Sequence, residues 1–253
     1  MSDSKIALVT GGSRGLGKNM AQHLAAHGID VLLTYHTKKD EAEAVVADIR
    51  ARGRRAAALQ LDAANVGSFA GFFAQVRATL RDTFGTDRFD FLINNAGTGL
   101  YAPFADTTEA EFDEVLNVHF KGPFFLTQQA LPLLHDGGRI INISSGLTRI
   151  INPNSSAYAS MKAAMEVLTK YQAKELSSRR IAVNIVAPGA IATDFGGGRV
   201  RDNKELHDHI ASLTALGRVG EAEDIGPVVA FLCTDAARWV NAQRLEASGG
   251  QSI

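Results

Sequence analysis

The chain has 253 residues, 45% hydrophobic and 21% charged, with a formal net charge of −1. This balance suits a globular α/β protein with a sizeable core and excludes a general electrostatic attraction to nucleic acid or to an anionic membrane. The only cysteine, Cys233, excludes an intrachain disulfide and a cysteine metal cluster.

Met1-Ser-Asp-Ser-Lys5 runs straight into an apolar strand, and no apolar run reaches the ~18 residues of a membrane span. A cytoplasmic protein is expected. Lys5-Ile-Ala-Leu-Val-Thr10 ends in Gly11-Gly12, the pattern of a buried parallel strand feeding a tight turn. Helical spacing follows over 16–27 and stops at Gly28. Further strands are predicted at 30–35, 56–61, 89–93, 139–143 and 181–186, and helices at 40–52, 66–84, 109–117, 122–134 and 156–177. Arg50, Arg52, Arg54 and Arg55 form a basic cluster at a helix end, expected to be solvated. After Pro188-Gly189, three glycines and several charges over 194–203 predict a mobile substrate loop, within about 190–215. A short helix at 205–213, a helix at 222–233 with Cys233 in its apolar run, and a strand at 244–247 complete the chain. Strands and helices alternating at this pitch predict one α/β domain: a doubly wound parallel sheet of about seven strands with helices on both faces.

Thr10-Gly-Gly-Ser-Arg-Gly-Leu-Gly17 follows the first strand and opens the first helix. Glycines there allow close backbone approach, and the free N–H groups of a helix start suit a pyrophosphate. The spacing is neither G-x-G-x-x-G nor an ATP-binding P-loop, and a plain structural turn is the alternative. The second strand ends in Tyr35-His-Thr-Lys38, with no carboxylate before Asp40 to hold a ribose 2′-hydroxyl. Arg14 could pair with a 2′-phosphate. Both features favour NADP(H) over NAD(H).

Ser156-Ala-Tyr-Ala-Ser-Met-Lys162 opens a helix, with Ser155 or Ser156 placed to cap it. Residues four apart share a helical face, so Tyr158 and Lys162 present a phenol and an ammonium to one space. A nearby cation favours the phenolate, which suits proton exchange with an oxygen near neutral pH. An ordinary exposed Tyr and Lys would show the same spacing.

Four elements standing in this order resemble the short-chain dehydrogenase/reductase family: the glycine loop, Asn94-Asn-Ala-Gly97, Ser145 thirteen residues before Tyr158, and Tyr158-x-x-x-Lys162. Pro188-Gly189, Gly217-Arg-Val-Gly220, Asp224-Ile225 and Ser248-Gly-Gly250 extend the resemblance over essentially the whole chain. It implies a Rossmann-type fold and hydride exchange between NADP(H) and a ketone, aldehyde or secondary alcohol. By position, Tyr158 resembles the acid/base, and Lys162 the group that lowers its pKa and holds the nicotinamide ribose. Ser145 resembles the carbonyl-polarising hydroxyl, with Ser144 as its neighbour, and Asn117 the asparagine of a proton-carrying water chain. The resemblance implies cofactor contacts from Gly11, Ser13, Arg14, Gly15, Leu16 and Gly17, from His36 and Thr37, and from Asp62 and Ala63. It adds Asn94, Ala96 and Gly97 beneath the adenosine, and Pro188, Gly189, Ile191 and Thr193 near the carboxamide. No metal is implied.

His36 stands where NADP-preferring relatives often have arginine, so NAD(H) is possible as well. The tail, with Asn241-Ala-Gln243 and Glu246-Ala-Ser-Gly-Gly250, departs from the commonest pattern. The family implies a homotetramer or homodimer built on the Tyr158 helix, and Ala157, Ser160 and Ala164 put small side chains along one stripe of it; packing within the monomer is the alternative. The substrate pocket is expected from residues 99–104, 147–154 and 195–213, with Leu100, Tyr101, Ile150, Ile151 and Phe195 as an apolar wall. Arg149 and Arg199 could meet an anionic group. The alternative enzyme is a 3-oxoacyl-(acyl-carrier-protein) reductase, for which Arg139, Arg149, Arg179 and Arg199 are the candidate landing residues. A non-catalytic cofactor sensor is the alternative of another class.

Overall fold

A computed structural model of the chain describes residues 4–253. In chain order the elements are β1 (Ile6–Val9), α1 (Gly15–Ala26), β2 (Asp30–Tyr35), α2 (Lys39–Ala51), β3 (Ala56–Gln60), α3 (Phe69–Thr79) and β4 (Phe89–Asn94). Then come α4 (Glu109–Leu116), α5 (Gly122–Ala130), β5 (Leu134–Ile143), α6 (Ser156–Glu175), β6 (Ala182–Pro188), α7 (Arg199–Asp202), α8 (Lys204–Ser212), α9 (Gly226–Leu232) and β7 (Arg244–Ala247).

The strands form one seven-stranded sheet in the order β3-β2-β1-β4-β5-β6-β7, with every pairing parallel. Interior strands are buried on both faces, which is why β1 is an unbroken apolar run. Alternate side chains point to opposite faces. Ala7, Val9, Val31, Leu33 and Ile93 pack with Met20, Leu24, Val45, Ile49 and Val229 from α1, α2 and α9. Ile6, Leu8, Leu32, Leu92 and Ile140 pack with Phe69, Phe73, Val76, Leu126 and Ala173 from α3, α5 and α6. The strand order reverses between β1 and β4, so the crevice beyond their carboxyl ends is where a doubly wound sheet takes its ligand.

Local backbone differs from the expectations in four places. The helix expected at 66–84 is a 3-10 turn, α3, and a π turn over Leu80–Phe84 that closes on Gly85 at φ 68°. A second π turn, Asn117–Lys121, joins α4 to α5 without a break. The segment expected as a loop at 194–203 winds into a 3-10 turn and α7; Gly196, Gly197 and Gly198 take φ of 61°, 75° and 75°, left-handed values that a side chain would resist. Pro227 sits in the first turn of α9 and separates it from a 3-10 turn over Ala222–Asp224.

The arginine cluster is not simply solvated. Asp30 at the start of β2 is fully buried, and Arg54 and Arg55 each put Nε on it, at 3.0 and 2.7 Å. The Arg55 backbone N–H adds a bond of 2.9 Å, and Arg50 donates to the Ala56 carbonyl. Cys233 lies in the core, where burial pushes its thiol up to about 12. Among the described residues no helix is long and apolar enough to cross a membrane.

Candidate active site

The glycine loop is tied to the end of β4 by a short network. Thr10 Oγ1 donates to the Ile93 carbonyl and accepts from the N–H groups of Asn95 and Ala96 at 2.9 and 3.0 Å. Asn95 Nδ2 donates to the carbonyls of Thr10 and Gly11 at 2.9 and 3.1 Å. A Cβ on Gly17 would lie 2.0 Å from the Gly11 carbonyl oxygen, so only glycine fits there. The first turn of α1 has no side-chain cap, which leaves its N–H groups free for an anion. Asp62 and Ala63 follow β3, Ala96 and Gly97 follow β4, and Gly189, Ile191 and Thr193 follow β6, at the carboxyl ends of the parallel strands, with Thr193 within 4 Å of a Cβ built on Gly15. A glycine floor and an uncapped helix start fit a dinucleotide pyrophosphate.

Not every residue implied for the cofactor faces the crevice. Asn94 is buried, and its Nδ2 donates to Asn142 at 2.8 Å and Thr127 at 3.0 Å. Strand alternation turns it under the sheet, and Asn95 is the neighbour that reaches the glycine loop. The Leu16 side chain packs on the core, leaving its backbone to the crevice. Arg14 points toward Asp194, with Nη1 4.0 Å from Oδ2. His36 and Thr37 are exposed at the end of β2, and Ser13 is buried within the loop.

Tyr158 and Lys162 share a face of α6, and both are buried. Lys162 Nζ donates to the Ile143 carbonyl at 2.8 Å and lies 5.6 Å from the Tyr158 ring centre. The Ser145 hydroxyl stands near the Tyr158 phenol, where it favours the ionised form, and Ser145 Oγ accepts from the Leu147 N–H at 3.2 Å. Ser144 donates to Glu166 at 2.6 Å, which commits its hydroxyl proton. The helix start differs from the expected cap: Ser155 occupies the N-cap position without a side-chain capping bond, and its hydroxyl is buried without a partner.

Burial sets the electrostatics. It pushes the Tyr158 phenol well above its ordinary range, with the nearby Ser145 hydroxyl opposing. The same burial pulls the Lys162 ammonium down to about 8.

His119, which the sequence pattern does not single out, also stands against this group. Asn117 opens the π turn, half-buried, and among the described residues its side chain makes no hydrogen bond to Tyr158 or Lys162. His119 is buried edge-on to Tyr158, ring centres 5.0 Å apart at 86°, with Nε2 2.7 Å from the Thr98 carbonyl. Burial and the nearby Lys162 charge lower its pKa to about 3. A Cβ on Gly97 would meet its ring at 2.7 Å.

Leu100 and Leu147 pack around Tyr158, Val115 and Met161. The Phe195 ring tilts over Tyr158 at 5.9 Å, and Arg199 lies over the Tyr101 ring at 4.7 Å. Ile151 departs from the expected wall: it is 87% exposed, on a cleft of about 510 Å³ that runs past Leu147 and Ser155 along Ala159 and Ala163. The four arginines do not assemble a basic patch. Arg139 is buried and donates to the Ala237 carbonyl, Arg179 is engaged with Asp136 and two carbonyls, and Arg149 with Glu246.

A family profile described as enoyl-(acyl carrier protein) reductase matches residues 11–252. The 3-oxoacyl-(acyl-carrier-protein) reductase FabG of Staphylococcus aureus is 37% identical and covers 99% of both chains. The angucycline C-6 ketoreductase LanV, solved with bound NADP, superposes with a TM-score of 0.93 at 37% identity, covering 98% of this chain and 95% of its own. The promiscuous reductase LugOII, which catalyses keto-reduction in lugdunomycin biosynthesis, gives a TM-score of 0.93 at 39% identity over 100% of both chains. The chain belongs to the short-chain dehydrogenase/reductase family of oxidoreductases.

Proposed function

We propose that this protein is an NADP(H)-dependent reductase of a flat, unsaturated or aromatic ketone, with Tyr158 as the acid. The observation that carries the reading is the meeting of the Ser145 hydroxyl, the Tyr158 phenol and the Lys162 ammonium beside a glycine-floored crevice. NADP bound in LanV and keto-reduction by LugOII support it. The bound nicotinamide supplies the hydride. Backbone N–H groups of the glycine loop hold the pyrophosphate, and Asp62, Ala63, Ala96, Gly97, Gly189, Ile191 and Thr193 line the rest. Phe195, Tyr101, Leu100 and Leu147 form the walls against which a planar substrate packs.

Ser145 donates to the substrate oxygen and Tyr158 delivers its proton there as negative charge develops. The Lys162 ammonium stabilises the phenolate that this transfer leaves behind. The acyl-carrier reading is less well supported, because Arg139, Arg149 and Arg179 are committed to internal partners. We extend the proposal to a homo-oligomer built on α6, whose outer face exposes Ser160, Val167 and Tyr171.

The pH dependence of NADPH oxidation, with NADH as control, tests the reading. The charge on Lys162 is present below about pH 8 and lost above it, while Tyr158 stays protonated across that range. The kcat/KM for reduction is therefore level near neutrality and falls on the alkaline side with an apparent pKa near 8. A rate that keeps rising through about pH 9 would contradict the assignment.

A further inference from the structure

One more charged group stands on α6 a turn beyond Lys162. Glu166 Oε1 accepts from Ser144 Oγ at 2.6 Å, from Thr148 Oγ1 at 2.8 Å and from Arg244 Nε at 2.7 Å. Ser144 and Thr148 bracket the turn that presents Ser145, which is extended at φ −155° and caps a 3-10 turn over Gly146–Thr148. The Thr148 hydroxyl also lies 3.0 Å from the Ser145 carbonyl and accepts from Arg244 Nη2 at 3.1 Å. Arg244 continues to Glu246 at 2.9 Å, and Glu246 pairs with Arg149 of the same loop. The Ser144 hydroxyl is buried, so loss of its acceptor would leave it unsatisfied and free the turn to shift. Bonds to a carboxylate are the short, strong kind that fix a turn in place.

We propose that Glu166 is a positioning residue for Ser145. Its carboxylate fastens both ends of the 144–148 turn to α6, so hydroxyl, phenol and ammonium are all registered to one rigid helix. A single carboxylate oxygen thereby sets the distance between Ser145 and Tyr158. The inference rests on the reading that Ser145 polarises the substrate carbonyl.

A double-mutant cycle tests it, with phenanthrenequinone as the carbonyl probe and NADPH oxidation as the readout. Glu166→Ala is expected to lower kcat about tenfold at unchanged KM for NADPH, since a misplaced group costs rate without costing cofactor binding. Ser145→Ala lowers kcat by roughly a hundredfold, and adding Glu166→Ala to it costs nothing further, because the positioned hydroxyl is already gone. Glu166→Gln keeps an acceptor oxygen and restores most of the rate. Hydrogen exchange over residues 144–148, which needs no substrate, is faster in Glu166→Ala than in the wild type and returns toward the wild-type rate in Glu166→Gln. The proposal is overturned if Glu166→Ala costs the same factor with and without Ser145, or leaves kcat or the exchange rate unchanged. If Ser145→Ala itself turns over like the wild type, the underlying role of Ser145 falls as well, which separates the two failures.

Discussion

Replacing Tyr158 with Phe lowers carbonyl reduction by about three orders of magnitude and leaves NADPH affinity within about twofold. The size follows from what the substitution removes. Phe keeps the ring that packs between His119 and Phe195 and within the Val115 and Met161 cluster, so the fold and the crevice persist. Only the hydroxyl is lost, and with it the buried phenol beside Ser145. Among the described residues, the other titratable rings at the site are poor acids: His119 has its imidazolium pKa held at about 3, and burial raises the Tyr101 phenol. Single-turnover kinetics and a fluorescence titration with NADPH measure the two quantities separately. A variant retaining more than about a tenth of wild-type kcat would remove Tyr158 from the acid's role.

The largest effect on stability is expected far from that chemistry. Asp30→Ala costs about 3 kcal/mol and lowers Tm by roughly 6–12 °C. Asp30 has no solvent exposure, and its two oxygens collect Arg54 Nε, Arg55 Nε and the Arg55 N–H. Those bonds hold the start of β2 to the connection entering β3. Removing the carboxylate leaves two guanidinium groups that are only partly exposed, 27% and 43%, so they resolvate in part; the cost therefore falls at the low end for a broken buried pair. Thermal unfolding followed by circular dichroism reads the shift, and a loss below about 1 kcal/mol would show the pair to be a surface contact in effect.

What the sequence disclosed and what it hid have a common physical origin. The strands of a parallel sheet are buried on both faces, so β1, β2 and β4 are apolar runs, β1 leading into Thr10-Gly11-Gly12 and β4 closing at Asn94, and their order follows from alternation with helices. Tyr158 and Lys162 were legible because four residues is a helical repeat. The hidden features all depend on the phase of a side chain or on contacts distant in sequence. A shift of one residue along β4 decides that Asn95 meets the glycine loop while Asn94 turns beneath the sheet. The π turn after α4 changes the helical register, which sets His119 edge-on to Tyr158. Glu166 meets Ser144 and Arg244 across 22 and 78 residues, a pairing that no local pattern announces. Burial shifts the Tyr158 pKa up and the Lys162 pKa down, which spacing does not reveal.

The central claim is hydride transfer from the nicotinamide to a carbonyl carbon in this site. NADPH deuterated at its transferable hydrogen, incubated with the protein and an aromatic ketone, tests it directly by mass spectrometry of the product. The account predicts an alcohol carrying the deuterium at the former carbonyl carbon, formed by the wild type and not by Tyr158→Phe. An alcohol without the label, or NADPH consumed without any alcohol, would contradict it.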